Sequence, residues 1–125
     1  MERTFPTRGE ALRDIRAFIR ERAAEDGVPA ALADDIVLAV SEASANAVVH
    51  VSTGEILIHW RKQGGVVLVR ISDDGVFRET DQTPRLDGIG GRGIPLMKAL
   101  MDDVTLRRGT QRRPGTVVSM TKRTG

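Results

Sequence analysis

Leu12, Ile15, Phe18, Ile19 and Ala23 recur at intervals of three and four residues, the period of one helix face, and the pattern stops at Gly27. Just ahead of them, Thr7-Arg8-Gly9-Glu10 has the spacing of a capping box, so a first helix is predicted over residues 8–26. Pro29 suits the first turn of a second helix. Its apolar positions run from Leu32 through Ile36, Val40, Ala43 and Ala47 to about Val49, with no glycine or proline inside.

Beyond Gly54 the period changes to that of extended chain. Glu55 to Arg61 is rich in Ile, Leu and Trp, Gly64-Gly65 is a turn signal, and Val66 to Ile71 is almost entirely β-branched or aliphatic, so these runs predict a hairpin. The second strand ends in Ser72-Asp73-Asp74-Gly75. Residues 78–91 then carry Pro84, Gly88, Gly90 and Gly91, the composition of a functional loop. Ile94 to Met101 reads as a helix opened by glycines, and Val104 to Arg107 and Thr116 to Thr121 read as two further strands. Hairpin-linked strands and helices in separate blocks predict an α+β fold, a two-layer sandwich of a mixed, mostly antiparallel sheet with helices on one face. A doubly wound parallel sheet is disfavoured. With no internal repeat or low-complexity tract, residues 1–125 are expected to form one domain.

Composition narrows the function classes. At 125 residues and 40% hydrophobic content, one core can form without metal or disulfide staples. The chain has no cysteine and two histidines, His50 and His59, which excludes disulfides and thiolate or histidine-only zinc sites. The N-terminus lacks the apolar region of a signal peptide, and no apolar run approaches the roughly 18 residues of a membrane span; a cytoplasmic protein with no membrane partner is expected. Nineteen basic against 17 acidic residues leave a net charge of +2, too weak a field to suggest nucleic acid. Arg107, Arg108, Arg112, Arg113, Lys122 and Arg123 crowd the C-terminal third, where solvated strand ends account for them. One Trp, three Phe and no Tyr make poor platforms for stacking bases.

Three segments carry candidate chemistry. Glu42, Asn46 and His50, spaced i, i+4, i+8, form a polar stripe along a mostly apolar helix. Asn46 offers a hard oxygen suited to Mg²⁺, and Glu42 can orient or deprotonate a nucleophile, although the same spacing serves two residues that simply face water. Asp73-Asp74-Gly75 puts a carboxylate where a strand stops, able to accept from a ligand amino group with glycine permitting close approach; an ordinary turn uses the same residues. Gly88-Ile89-Gly90-Gly91-Arg92-Gly93 leads into a helix, as in turns that present bare N–H groups to an anion. Neither the P-loop nor the Rossmann pattern is present in its required context.

In order along the chain, Ser41-Glu42-Ala43-Ser44-Ala45-Asn46-Ala47-Val48-Val49-His50, Ile71-Ser72-Asp73-Asp74-Gly75, Gly91-Arg92-Gly93-Ile94-Pro95-Leu96-Met97, Met101-Asp102-Asp103-Val104 and Pro114-Gly115-Thr116-Val117 resemble the nucleotide-site boxes of the GHKL ATPases. The likeness is greatest to the anti-sigma-factor serine kinases and covers roughly residues 8–122. It implies the Bergerat-type ATP-binding fold, with ATP and Mg²⁺ as cofactors. It further implies that Asn46 coordinates the Mg²⁺, that Glu42 is the catalytic base, and that Asp73 binds the adenine amino group with Gly75 beside the base. Residues 78–92 would cover the phosphates, with Gly91, Arg92 and Gly93 contributing backbone and charge, and Thr116 would lie near the adenine. The partners implied are a serine on an anti-anti-sigma STAS-type protein, a sigma factor held away from RNA polymerase, and a second copy in a homodimer. The family pattern Asp-x-Gly-x-Gly is incomplete, because Phe77 stands where the second glycine is usual. That departure keeps an alternative, a docking module of the same fold that binds nucleotide weakly and transfers nothing.

Overall fold

The computed structural model describes residues 1–50, 54–73, 93–108 and 115–125. In chain order they form β1 (Glu2–Pro6), α1 (Ala11–Glu25), α2 (Ala30–His50), β2 (Glu55–Gln63), β3 (Val66–Asp73), α3 (Gly93–Leu100), β4 (Asp103–Arg108) and β5 (Thr116–Arg123). The expected α+β sandwich is present: one five-stranded sheet of order β1-β2-β3-β5-β4, antiparallel at every pairing, with the helices on one face.

Period-two alternation builds the core. Ile56, Ile58 and Trp60 of β2, Val67, Val69 and Ile71 of β3, and Val118 and Met120 of β5 are all buried against the helices. From the other layer come Ile15, Phe18 and Ile19 of α1, Ile36, Val37, Ala39 and Val40 of α2, and Met97 of α3. The central helix α2 packs against both α1 and α3.

Two features depart from expectation. Residues 2–6 form an edge strand, whereas the polar Glu2, Arg3 and Thr4 give no hydrophobic alternation to reveal it. Its single buried position, Phe5, stacks edge-on against Phe18 at 5.9 Å, and pairing with β2 supplies the rest. The capping box does not form either: α1 begins at Ala11 after a tight turn, Glu10 is its N-cap without a side-chain bond, and Thr7 is buried. By contrast, the stop at Gly27 is as expected. Its φ of +72° is accessible to glycine at little cost, and the amides of Gly27 and Val28 bond back to Ala24 and Ala23, closing the last turn.

The end of α1 is also tied to the sheet. The indole Nε1 of Trp60, a residue 2% exposed, donates to the Asp26 carboxylate at 2.6 Å. Because Asp26 is itself exposed, the bond stabilises the fold by about 1–2 kcal/mol rather than more. Trp60→Phe is therefore expected to lower the thermal midpoint by roughly 5–10 °C. A melting shift near zero would show that this bond adds nothing.

Candidate functional site

The connectivity gathers the candidate residues at one end of the sandwich. Only residues 51–54 separate α2 from β2, so the C-terminal end of α2 lies where β2 starts. The start of β2 pairs with the end of β3, Ile56 opposite Asp73, and the end of β3 pairs with the start of β5, Asp73 opposite Thr116. One row, Phe5–Ile56–Asp73–Thr116, thus crosses the sheet, and it reaches Arg108 at the end of β4. Alternation puts Asp73 in phase with Val67, Val69 and Ile71, and Thr116 in phase with Val118 and Met120; both face the helix layer. α3 enters β4 at the opposite end, so its first residue, Gly93, points back toward the row. The sequence thereby brings the end of α2, Asp73, Thr116 and the start of α3 to one edge.

Side-chain azimuths on α2 fix which neighbour each group faces. At about 100° per residue, and taking Leu38 as origin, Asp34 and Ser41 lie at about −40° and −60°, while Glu42, Asp35 and Asn46 lie at about +40°, +60° and +80°. On the negative side is α1, where Arg20 pairs with Asp34 at 2.9 Å and Arg16 donates to Ser41 Oγ at 3.3 Å. On the positive side is α3, because Lys122 binds both Asp35 of α2 and the Leu100 carbonyl of α3. Glu42 and Asn46 therefore border the α2–α3 side, above the sheet row. Asn46 is 5% exposed and Glu42 is half-buried, so the pair does not simply face water.

Two buried polar atoms without partners lie at this edge, while Thr7 Oγ1, Arg22 Nε and Ser44 Oγ are buried without partners elsewhere among the described residues. Asn46 Nδ2 and Thr116 Oγ1 are buried and have no hydrogen-bond partner among the described residues. Orphaned buried groups are uncommon because each costs about 1–3 kcal/mol. An amide on the helix and a hydroxyl on the sheet facing a common edge fit a polar ligand carrying both donors and acceptors. The residues also fit a hard divalent ion held largely by that ligand's own phosphates: Asn46 offers one neutral oxygen, and no cluster of three or more His, Asp or Glu suited to a metal occurs among the described residues. Beside Thr116, Gly115 has φ +121°, a conformation that a side chain would strain.

Of the sequence-predicted site residues, Glu42, Asn46, Asp73, Gly93 and Thr116 lie at this edge. Gly75, Gly91 and Arg92 lie outside the described residues, as do the loop at 78–92 and the departure at Phe77. Two features escaped sequence reading. Lys122 occupies the inward phase of β5, an anomaly that alternation alone reveals. The apolar residues of α2 are not all needed for the core, since Leu38 and Val49 are 54% and 74% exposed.

Residues 5–122 match the family described as the histidine kinase-like ATPase domain. A comparison with curated proteins gave no match. Among solved structures, the chain is similar to the RsbU and RsbW domains of Rv1364c from Mycobacterium tuberculosis, at 26% identity and a TM-score of 0.78, covering 98% of this chain and 32% of that one. The histidine kinase domain of the Erythrobacter litoralis EL346 blue-light activated histidine kinase is 23% identical with a TM-score of 0.59, covering 96% of this chain and 62% of that one. Acinetobacter baumannii histidine kinase AdeS is 12% identical with a TM-score of 0.52, covering 98% and 68%. The last two are likenesses of fold alone. The chain spans about a third of the length of that mycobacterial chain. No helix among the described residues is long and apolar enough to cross a membrane.

Proposed function

The chain belongs to the histidine kinase-like ATPase domain family, and from that premise we propose that it is a Mg-ATP-dependent protein-serine kinase that also acts as an anti-sigma factor. The observation that carries the reading is the meeting of Glu42 and the buried Asn46, one helical turn apart, with Asp73 and Thr116 on the sheet row and the N-terminus of α3. Similarity to a structure containing an RsbW domain supports the partner-switching side of the proposal. The partners that follow are a STAS-type anti-anti-sigma protein, a sigma factor and a second copy of this chain.

When bound, Mg-ATP supplies the transferable phosphoryl group and the divalent charge that offsets its oxygens. The chain's own residues position it. Asp73 would accept from the adenine amino group, and the Thr116 hydroxyl, facing the same side, would bond to the base edge. Asn46 would hold the ion through its Oδ1, and the N-terminal turn of α3 would face the phosphates. Glu42 accepts the proton of the acceptor hydroxyl at its carboxylate, one turn from the ion-binding amide. The work is positioning and electrostatics, without a covalent enzyme intermediate. Exposed Leu38 and Val49 lie on the outward arc that Glu42 borders, which fits an acceptor carried by another protein better than a free small molecule.

The test is calorimetric titration of the chain with a non-hydrolysable ATP analogue, with and without Mg²⁺, alongside transfer of labelled γ-phosphate to a STAS-domain protein. Micromolar, Mg²⁺-dependent binding together with phosphoserine on the acceptor is the expected result. Binding without transfer would replace the kinase with a nucleotide-sensing docking module, and no binding at millimolar ligand would overturn the nucleotide reading.

A further inference from the structure

On β5 the residues that face the helices are Thr116, Val118 and Met120, all buried, and the next in phase is a lysine. The Lys122 side chain is only 12% exposed. Its ammonium donates to the carbonyl of Leu100, the last residue of α3, and lies 3.3 Å from the Asp35 carboxylate on α2. One cation from the last strand therefore ties two helices together.

From this geometry we infer that Lys122 is a positioning residue for the phosphate half of the nucleotide site; the inference rests on the nucleotide reading above. The cation suits its place, because the C-terminal carbonyls of a helix carry partial negative charge and charge-assisted bonds are the stronger kind. Around it the exit of α3 is fastened to β5 by further bonds: the Asp102 amide donates to the Thr121 carbonyl at 2.9 Å, and the Arg123 amide donates to the Asp102 carboxylate at 2.6 Å. α3 has eight residues, so it is about 12 Å long. α3 also packs on α2 through the buried Met97, and over its length a change in tilt of about 5° moves one end about 1 Å relative to the other, a displacement large enough to matter at a reacting or phosphate-binding site.

The far end of α3 is Gly93, at the edge shared by Asn46, Asp73 and Thr116. Asp35 lies two turns before Glu42 on the same side of α2, so the ammonium also fixes α3 relative to the helix that carries Glu42 and Asn46. The adenine half has a different support. Asp73 and Thr116 are register partners within the sheet and do not depend on where α3 sits. The two halves of the site are thus mechanically separable, and Lys122 controls one of them.

The experiment compares affinities of the full chain for Mg²⁺ with a non-hydrolysable ATP analogue and for adenosine, in the wild type, Lys122→Met, Lys122→Arg and Asp35→Asn. Lys122→Met is expected to weaken the triphosphate analogue about tenfold while leaving adenosine within about twofold, and Lys122→Arg to recover most of the loss, since arginine also serves a carbonyl and a carboxylate. Hydrogen exchange should rise in residues 93–100 of the same variant and not in α1. Equal loss of both ligands, or no loss, overturns the inference. If Lys122→Met does not fold, Asp35→Asn carries the test: a loss of about threefold confined to the triphosphate supports the inference, and an unselective or absent loss overturns it. A wild type that binds neither ligand overturns the nucleotide reading, whereas a wild type that binds both while the variants match it overturns only the role of Lys122.

Discussion

Replacing Glu42 with glutamine is expected to reduce phosphoryl transfer to a STAS-domain acceptor by roughly 10²–10⁴-fold, the range for loss of a general base, while nucleotide affinity stays within about twofold. The substitution preserves shape and helix propensity, so packing should survive. What it removes is the capacity to take a proton. Glu42 sits at about +40° on α2, between the exposed arc at Leu38 and the buried side at Asn46, and only a residue on that border can meet both an incoming acceptor and a bound phosphate. Transfer assays with labelled γ-phosphate, run beside analogue titrations, separate the two quantities. Affinity and transfer falling together would make Glu42 a binding residue, and unchanged transfer would place the base elsewhere.

The elements that sequence reading identified well are those with one apolar face or a bounded apolar run. α1 is of the first kind, whereas β2 and β3 stood out as runs rich in β-branched and aliphatic residues bounded by glycines, and the expected two-layer arrangement followed from the order of the elements. β1 was hidden because it is an edge strand whose one buried side chain, Phe5, cannot show a period. The capping box at Thr7 and Glu10 had the right letters but the wrong context: β1 extends through Pro6, and the turn at residues 8–10 carries the chain into α1 without side-chain help.

At the site, spacing along one helix showed that Glu42 and Asn46 share a side but not which side. The answer depends on α1 and α3 flanking α2, a tertiary fact fixed by the Arg16, Arg20 and Lys122 contacts. Likewise, the juxtaposition of Asp73 and Thr116 comes from strand order: β3 pairs with β5, across a segment that includes α3 and β4, and no local pattern encodes that pairing. The fold thus turns residues more than forty positions apart into neighbours on one row.

Asn46→Ala should abolish the Mg²⁺ dependence of nucleotide binding, with affinity for the Mg²⁺-loaded ATP analogue falling about 10- to 100-fold and affinity measured in chelator nearly unchanged. Two consequences of the geometry oppose each other here. Removing a buried amide whose Nδ2 has no partner among the described residues relieves a desolvation cost, so the ligand-free variant is expected to be no less stable than wild type, and alanine is the better helix former. On the proposed reading, removing its oxygen would take away a neutral ligand from an ion otherwise held by phosphates and water, so the bound state would lose what the free state gains. Stability up, or level, with Mg²⁺-dependent affinity down is the signature of a residue kept for binding rather than for folding. Thermal melting with and without Mg²⁺ and analogue reads both quantities. A variant that is destabilised by several degrees yet binds the analogue normally would assign Asn46 to the core and leave the ion to other groups.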